Sequence, residues 1–226
     1  MRPVGILGGM GPEATLLLMQ KVLAAVPAQD DADHIPLIVH QNPQVPSRIA
    51  ALIDGTGADP APVLAGMARD LQGAGAQALA MPCNTAHHYA PAVAAATDLP
   101  FLNMIELTAA ALRAKGARRV GLLASPATRL AGVFDAAFAG LGLQAVSRAD
   151  DSALLALIRK VKSGDRGAVV QAALRAEAGA LTAQGADHLL VACTELSLLT
   201  DALPEEAPWL DSLDCLTDAI VGFSTG

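Results

Sequence analysis

Two segments of this chain are related to each other. Gly75-Ala-Gln-Ala-Leu-Ala-Met-Pro-Cys83-Asn-Thr85 aligns without gaps on Gly185-Ala-Asp-His-Leu-Leu-Val-Ala-Cys193-Thr-Glu195, an offset of 110 residues. Val4-Gly-Ile-Leu7 is likewise similar to Val120-Gly-Leu-Leu123, at an offset of 116. Each longer segment reads as a helix end, a Gly cap, a buried strand and then a cysteine followed by small polar residues. Two offsets this close imply a chain built twice over, from halves of about 100 residues, an ordinary size for a small domain.

The hydropathy pattern carries the same message. In the first half, short apolar runs predict strands at residues 4–7, 35–40, 78–81 and 100–102, with helices at 12–26, 60–73 and 84–96. In the second half, strands are expected at 120–124, 144–147 and 188–192, and helices at 127–141, 152–160, 168–184 and 196–203. A last helix is expected at 213–223. Strands of four to six residues between longer helices imply βαβ units and parallel sheets. The chain is 53% apolar but only 3% aromatic, which suits Ala- and Leu-rich helices packed on a sheet. The expected class is therefore α/β, with two pseudo-symmetric, parallel-sheet, Rossmann-like domains. The Pro-rich stretch 203–208 is read as returning the chain to the first half. The domains are then 1–103 plus 207–226, and 104–206.

Several function classes are excluded. A net charge of −7, with four Lys and eleven Arg read as scattered, argues against a nucleic-acid surface, which needs clustered cations to displace counterions. Residues 71–97 carry no Asp, Glu, Lys or Arg, and 27 residues are enough to span a bilayer. That stretch nevertheless holds Gly73, Gly75, Pro82, Asn84, His87, His88 and Pro91, which break a helix or need hydrogen-bond partners. It is read as buried strand, turn and helix. The opening MRPVGILGGMGPE breaks its apolar run at once with glycines, unlike a signal peptide. Cys83, Cys193 and Cys215 are odd in number and widely spaced, which speaks against a disulfide framework or a structural zinc site. A reduced, cytoplasmic protein is expected.

In parallel α/β sheets, ligands sit outside the carboxyl ends of strands. Cys83 and Cys193 both fall there, and a thiol at a helix start has its thiolate favoured by the helix dipole. Cys215 lies within the last predicted helix and reads as core. Asn84, Thr85 and Thr194 stand where helices begin, as caps that can also orient a ligand carboxylate. The loop Gly8-Gly9-Met10-Gly11-Pro12 is not GxGxxG, and no GK[ST] follows, so no nucleotide phosphate is expected there. Its glycines are read as letting the backbone approach a small ligand. Arg48 follows the loop Asn42-Pro-Gln44-Val-Pro-Ser47, and Lys162 lies in the second half. Alone each reads as a surface charge, yet a dicarboxylate ligand needs a few placed cations. Glu195 and His87 are candidates to tune the thiols, His87 being one helical turn beyond Cys83.

Taken together, Gly8-Gly-Met-Gly-Pro-Glu-Ala-Thr15, His40-Gln-Asn-Pro-Gln-Val-Pro-Ser-Arg48, Met81-Pro-Cys-Asn-Thr-Ala-His87, Pro100-Phe-Leu-Asn-Met-Ile105 and Ala192-Cys-Thr-Glu-Leu196 resemble the aspartate/glutamate racemase family. The similarity runs in order over nearly the whole chain. It implies an active site in the cleft between the two domains, no cofactor, no metal and a homodimer. It implies that Cys83 and Cys193 are the acid/base pair, with Arg48, Asn84, Thr85, Thr194 and Lys162 contacting an acidic amino acid. Met10, Gln44 and Glu195 complete the expected substrate-binding set. The first motif is closer to aspartate racemases than to glutamate racemases, whose first strand usually ends in Asp-Ser where this chain has Gly8-Gly9.

The chemistry agrees with the resemblance. Racemisation removes the α-proton from one face and returns a proton to the other, so one base on each face suffices. The carbanion that develops needs hydrogen bonds to its carboxylate. No motif points to pyridoxal phosphate, and no lysine stands out as a Schiff-base candidate. Two alternatives use the same residues. A hydantoin racemase or maleate isomerase would keep the cleft, the latter with a nucleophilic cysteine. A non-catalytic amino-acid-binding paralogue would keep it without needing thiols on both walls.

Overall fold

Five consecutive buried residues make Val4–Gly8 (β1) a strand covered on both faces, the environment of a parallel sheet. The computed structural model describes residues 1–204 and 207–226. Its contacts divide the chain into two compact units, Met1–Leu107 with Leu213–Gly226, and Thr108–Ser212.

In the first unit, β1 is followed by α1 (Pro12–Ala25), β2 (Leu37–Gln41), α2 (Arg48–Leu52), α3 (Ala61–Gly73), β3 (Ala78–Ala80), α4 (Ala90–Ala94), β4 (Phe101–Leu102) and the start of α5 (Met104–Ala114). The strands form one parallel sheet in the order β2-β1-β3-β4. The second unit holds the rest of α5, then β5 (Arg119–Ala124), α6 (Pro126–Leu130), α7 (Asp135–Leu141), β6 (Gln144–Val146), α8 (Ser152–Lys162), α9 (Ala168–Ala183), β7 (His188–Ala192) and β8 (Trp209–Asp211). Its sheet is also parallel, in the order β6-β5-β7-β8. The protein is thus an α/β chain with the same strand order laid down twice. From Leu213 on, α10 (Ser212–Thr225) belongs to the first unit. There Leu213, Leu216 and Ile220 share a core with Val4, Ile6, Leu18 and Val22.

The sequence repeat has a packing cause. A Cβ on Gly5 would lie 2.9 Å from Ala76 Cβ and 3.1 Å from Leu71 Cβ. A Cβ on Gly121 would lie 3.0 Å from both Ala186 Cβ and Leu181 Cβ. The same three residues meet in each unit: a bare glycine in the first strand, and a Leu and an Ala from the helix and turn that lead to the third. Only glycine lets the helix seat this closely. Gly75 and Gly185, with φ of +97° and +88°, then turn the chain from α3 into β3 and from α9 into β7.

Where structure and expectation differ, the causes are local or concern an edge strand. The helix expected at 84–96 is a 3-10 turn, Thr85–Tyr89, followed by α4, whose first turn contains Pro91. Proline has no N–H to continue a preceding helix but is accepted in a first turn. The helix expected at 127–141 is split into α6 and α7, between which Gly132 takes φ +59°. The stretch 196–203 forms a 3-10 helix, Leu196–Ala202. Helices α2 and α5 and strand β8 were not expected. Strand β8 pairs with β7 through Leu189↔Trp209 and Val191↔Asp211, so residues 209–211 lie in the second sheet and not in the first unit, where the sequence places 207–226. Of the Pro-rich stretch 203–208, residues 205 and 206 lie outside the described residues. Residues 71–97 enter α3, β3, the 3-10 turn and α4, and among the described residues no helix is long and apolar enough to cross a membrane.

Candidate active site

In the first unit, the loop after β2 is held to the end of β1 through the backbone, and the loop after β1 is held to a side chain of α1. Asn42 N–H donates to Gly8 O at 3.1 Å, and Gly9 N–H donates to Thr15 Oγ1 at 2.9 Å. Gly9 has φ +97°, and a Cβ there would fall 2.4 Å from the carbonyl carbon of Asn42. What this glycine admits is the neighbouring loop, where the sequence suggested a ligand. Gln44 is exposed, and its N–H closes a turn on Asn42 Oδ1 at 2.9 Å.

Arg48 ties these loops together. Ser47 caps α2 by accepting Ala50 N–H at 3.2 Å, which sets Arg48 at the first residue of the helix. Its Nη1 donates to Pro46 O at 3.1 Å and Val45 O at 3.4 Å, and its Nη2 to Met10 O at 3.3 Å. All three acceptors are neutral carbonyls, and among the described residues no carboxylate forms an ion pair with Arg48. Met10 presents that carbonyl while its side chain is buried in the core cluster that includes Cys83. Tyr89, the chain's single tyrosine, was not singled out from sequence. Burial raises its phenol above the ordinary range, the Asp59 charge adds to this and Arg48 opposes it, so the phenol lies within the field of the guanidinium.

Cys83 is delivered by β3 and is buried, its N–H closing a tight turn on Met81 O at 2.9 Å. Asn84 is buried and Thr85 half-buried at the 3-10 turn that follows; Asn84 has helical backbone angles and does not cap that turn with its side chain. His87 has both ring nitrogens committed to the backbone. Met104 N–H can only donate, and it lies 3.2 Å from Nε2. Nδ1 therefore carries the proton and donates to Cys83 O at 2.8 Å. Burial pushes the imidazole down to about 4, the bond to Cys83 O opposing it, and the ring stacks 5.5 Å from Phe101. His87 ties the Cys83 loop to the start of α5 through its backbone bonds, which corrects the expectation of a partner for the thiol.

The second unit brings three predicted residues together. Cys193, beyond the end of β7, donates its S–H to Glu195 Oε2 at 3.0 Å. Glu195 Oε1 lies 3.2 Å from Nζ of Lys162, the last residue of α8. Lys162 is half-exposed while Glu195 is 14% exposed, so the carboxylate bridges a buried thiol and a solvated cation. Burial pushes the Cys193 thiol well above the ordinary range, the Glu195 charge and hydrogen bond push it further, and Lys162 opposes them. Cys193 thus rests protonated. Thr194 is buried between these two residues. Cys215 is buried in α10, and among the described residues no cysteine forms a disulfide. Among the described residues there is no group of three or more His, Cys, Asp or Glu side chains suited to holding a metal.

Each of the two parallel sheets is followed by a cysteine beyond the carboxyl end of its third strand in chain order. Residues 7–220 match the Asp/Glu/Hydantoin racemase family, and the protein belongs to it. It is 27% identical over 223 residues, 96% of each chain, to the broad specificity amino-acid racemase RacX of Bacillus subtilis (strain 168). It superposes on Picrophilus torridus aspartate racemase with a TM-score of 0.88 and 28% identity, covering 99% of this chain and 94% of that one. Glutamate racemase from Francisella tularensis subsp. tularensis SCHU S4, solved in complex with D-glutamate, shares the fold with a TM-score of 0.71 at 15% identity, over 98% and 80% of the two chains.

Proposed function

We propose that this protein is a cofactor-independent racemase of an acidic amino acid, aspartate before glutamate, in which Cys83 and Cys193 exchange the α-proton. The observation that carries this reading is the state of Cys193, a buried thiol held protonated on a carboxylate. With Cys193 as S–H, Cys83 as thiolate takes the α-proton of one enantiomer while Cys193 delivers its own proton to the opposite face. The turnover leaves Cys83 as S–H and Cys193 as thiolate, the pair that acts on the other enantiomer.

The carbanion between these steps needs positive charge and hydrogen-bond donors on its carboxylate. Arg48 supplies them best: three backbone contacts fix its orientation and leave two of its five N–H donors for substrate. Met10, Gln44, Asn84, Thr85 and Thr194 are read as further contacts, with Lys162 and Glu195 at the second thiol. The two α/β units are read as two domains of a homodimer that works in the cytoplasm on a small-molecule substrate. Aspartate is favoured by the Gly8-Gly9 strand end and by the similarity to an aspartate racemase. The similarity to RacX supports a second reading, a wider amino-acid range.

The test is incubation with L-aspartate, L-glutamate and a neutral L-amino acid in D₂O, followed by chiral chromatography and mass spectrometry. D-aspartate with one α-deuterium is expected, and Cys83→Ala and Cys193→Ala should each abolish its formation. Full racemisation by either variant would sink the two-base scheme.

A further inference from the structure

The cations of this chain are less evenly spread than they look in a net-charge count. Arg113, Lys115, Arg118 and Arg119 are four of the fifteen Lys and Arg, and they fall within seven consecutive residues. Three of them, with Gly142 and Gln144, line a surface cavity of about 430 Å³ in the second unit. Arg119 and Gln144 are paired first residues of β5 and β6, so the cavity lies at the amino ends of these strands. Cys193 follows the carboxyl end of β7, which runs parallel to β5. The cavity is therefore at the other end of this sheet from the proposed acid thiol.

From this placement we infer that the cavity is a second ligand site, which takes a small, multiply charged phosphate anion of the diphosphate type. Arg119 is held ready: its Nε donates to Gly185 O at 2.8 Å and its Nη2 to Gln184 O at 3.1 Å, closing the end of α9. Capping accounts for that arginine alone. The dipole of α5 favours a cation at Arg113, in its last turn, but does not call for two more guanidinium groups around it. Arg113 and Arg118 are exposed, and among the described residues neither side chain has a hydrogen-bond or ion-pair partner. Among the described residues one carboxylate hydrogen-bonds to this segment, Asp187, which accepts Arg118 N–H at 3.1 Å and Arg119 N–H at 3.0 Å and is turned also to His188. It offsets one of the three charges and leaves an excess of two. Planar guanidinium forks match phosphate oxygens bidentately, and three around one cavity suit two linked phosphates better than a single carboxylate.

The test is calorimetric titration of the full chain with pyrophosphate at constant ionic strength. Saturable binding that weakens with added salt is expected. The double variant Arg113→Ala/Arg118→Ala should bind at least about tenfold more weakly, the loss expected for hydrogen bonds to a charged group. Its circular dichroism and Tm should stay at wild-type values, since neither side chain holds the fold. Cys193→Ala should bind as the wild type does, which separates this site from the racemase chemistry. Absence of saturable binding at millimolar pyrophosphate, or binding that the double variant retains in full, overturns the proposal.

Discussion

The sulfur of Cys193 and the carboxylate of Glu195 stand 3.0 Å apart, with the thiol as donor. Such a bond stabilises the S–H form, and the negative charge beside it opposes the thiolate. Lys162 pulls the other way through the same carboxylate. Removing either neighbour should therefore move the thiol in opposite directions. In a Cys83→Ala/Cys215→Ala background, the pH at which Cys193 becomes half-alkylated by iodoacetamide should fall in Glu195→Gln and rise in Lys162→Met. Equal midpoints in all three proteins would show that the charges do not set the state of this thiol.

His87 makes acid stability a readout of its burial. Its folded value is about 4 against 6.5 for the free side chain. Between these values the unfolded chain binds the extra proton and the folded chain does not, so stability falls as pH drops from 6.5 towards 4. The full effect is about 3 kcal/mol. Urea unfolding at pH 7.5 and pH 5 should show this loss. His87→Gln should be less stable at pH 7.5 by about 1–3 kcal/mol, because Cys83 O and Met104 N–H lose buried partners, yet should lose less between the two pH values. An unchanged pH dependence in the variant would rule out His87 as its source.

Gly121 and Gly179 should respond to the same substitution with opposite signs. A methyl group on Gly121 meets Leu181 and Ala186 near 3.0 Å, while one on Gly179, within α9, meets nothing within 4 Å. Gly121→Ala should cost about 1–3 kcal/mol from overpacking, as should Gly5→Ala in the first unit. Gly179→Ala should add about 0.5–1 kcal/mol through helix propensity. Thermal unfolding of the three variants decides it, and a Gly121→Ala protein as stable as wild type would mean that α9 can move off β5 without cost.

The repeat was legible because its causes are close in sequence: a strand written as an apolar run, a left-handed glycine before it, and a cysteine after it. The doubling of the parallel sheet follows from that pattern, as does the passage of residues 71–97 through helix, strand and turn. Proline at position 91 makes a break, through its missing N–H, that the apolar pattern over 84–96 did not show. The rest depended on atoms that only the fold brings within hydrogen-bonding distance, 3.2–3.3 Å. Met104 N–H reaches His87, Glu195 reaches Lys162, and Arg48 reaches the carbonyl of Met10. Strand β8 is three residues long and exists through its pairing with β7. Residue types and local periodicity determined the α/β class and put a cysteine after the third strand of each sheet. Which group each polar side chain meets was decided by tertiary packing, because hydrogen bonds are made at fixed distances that sequence spacing does not encode.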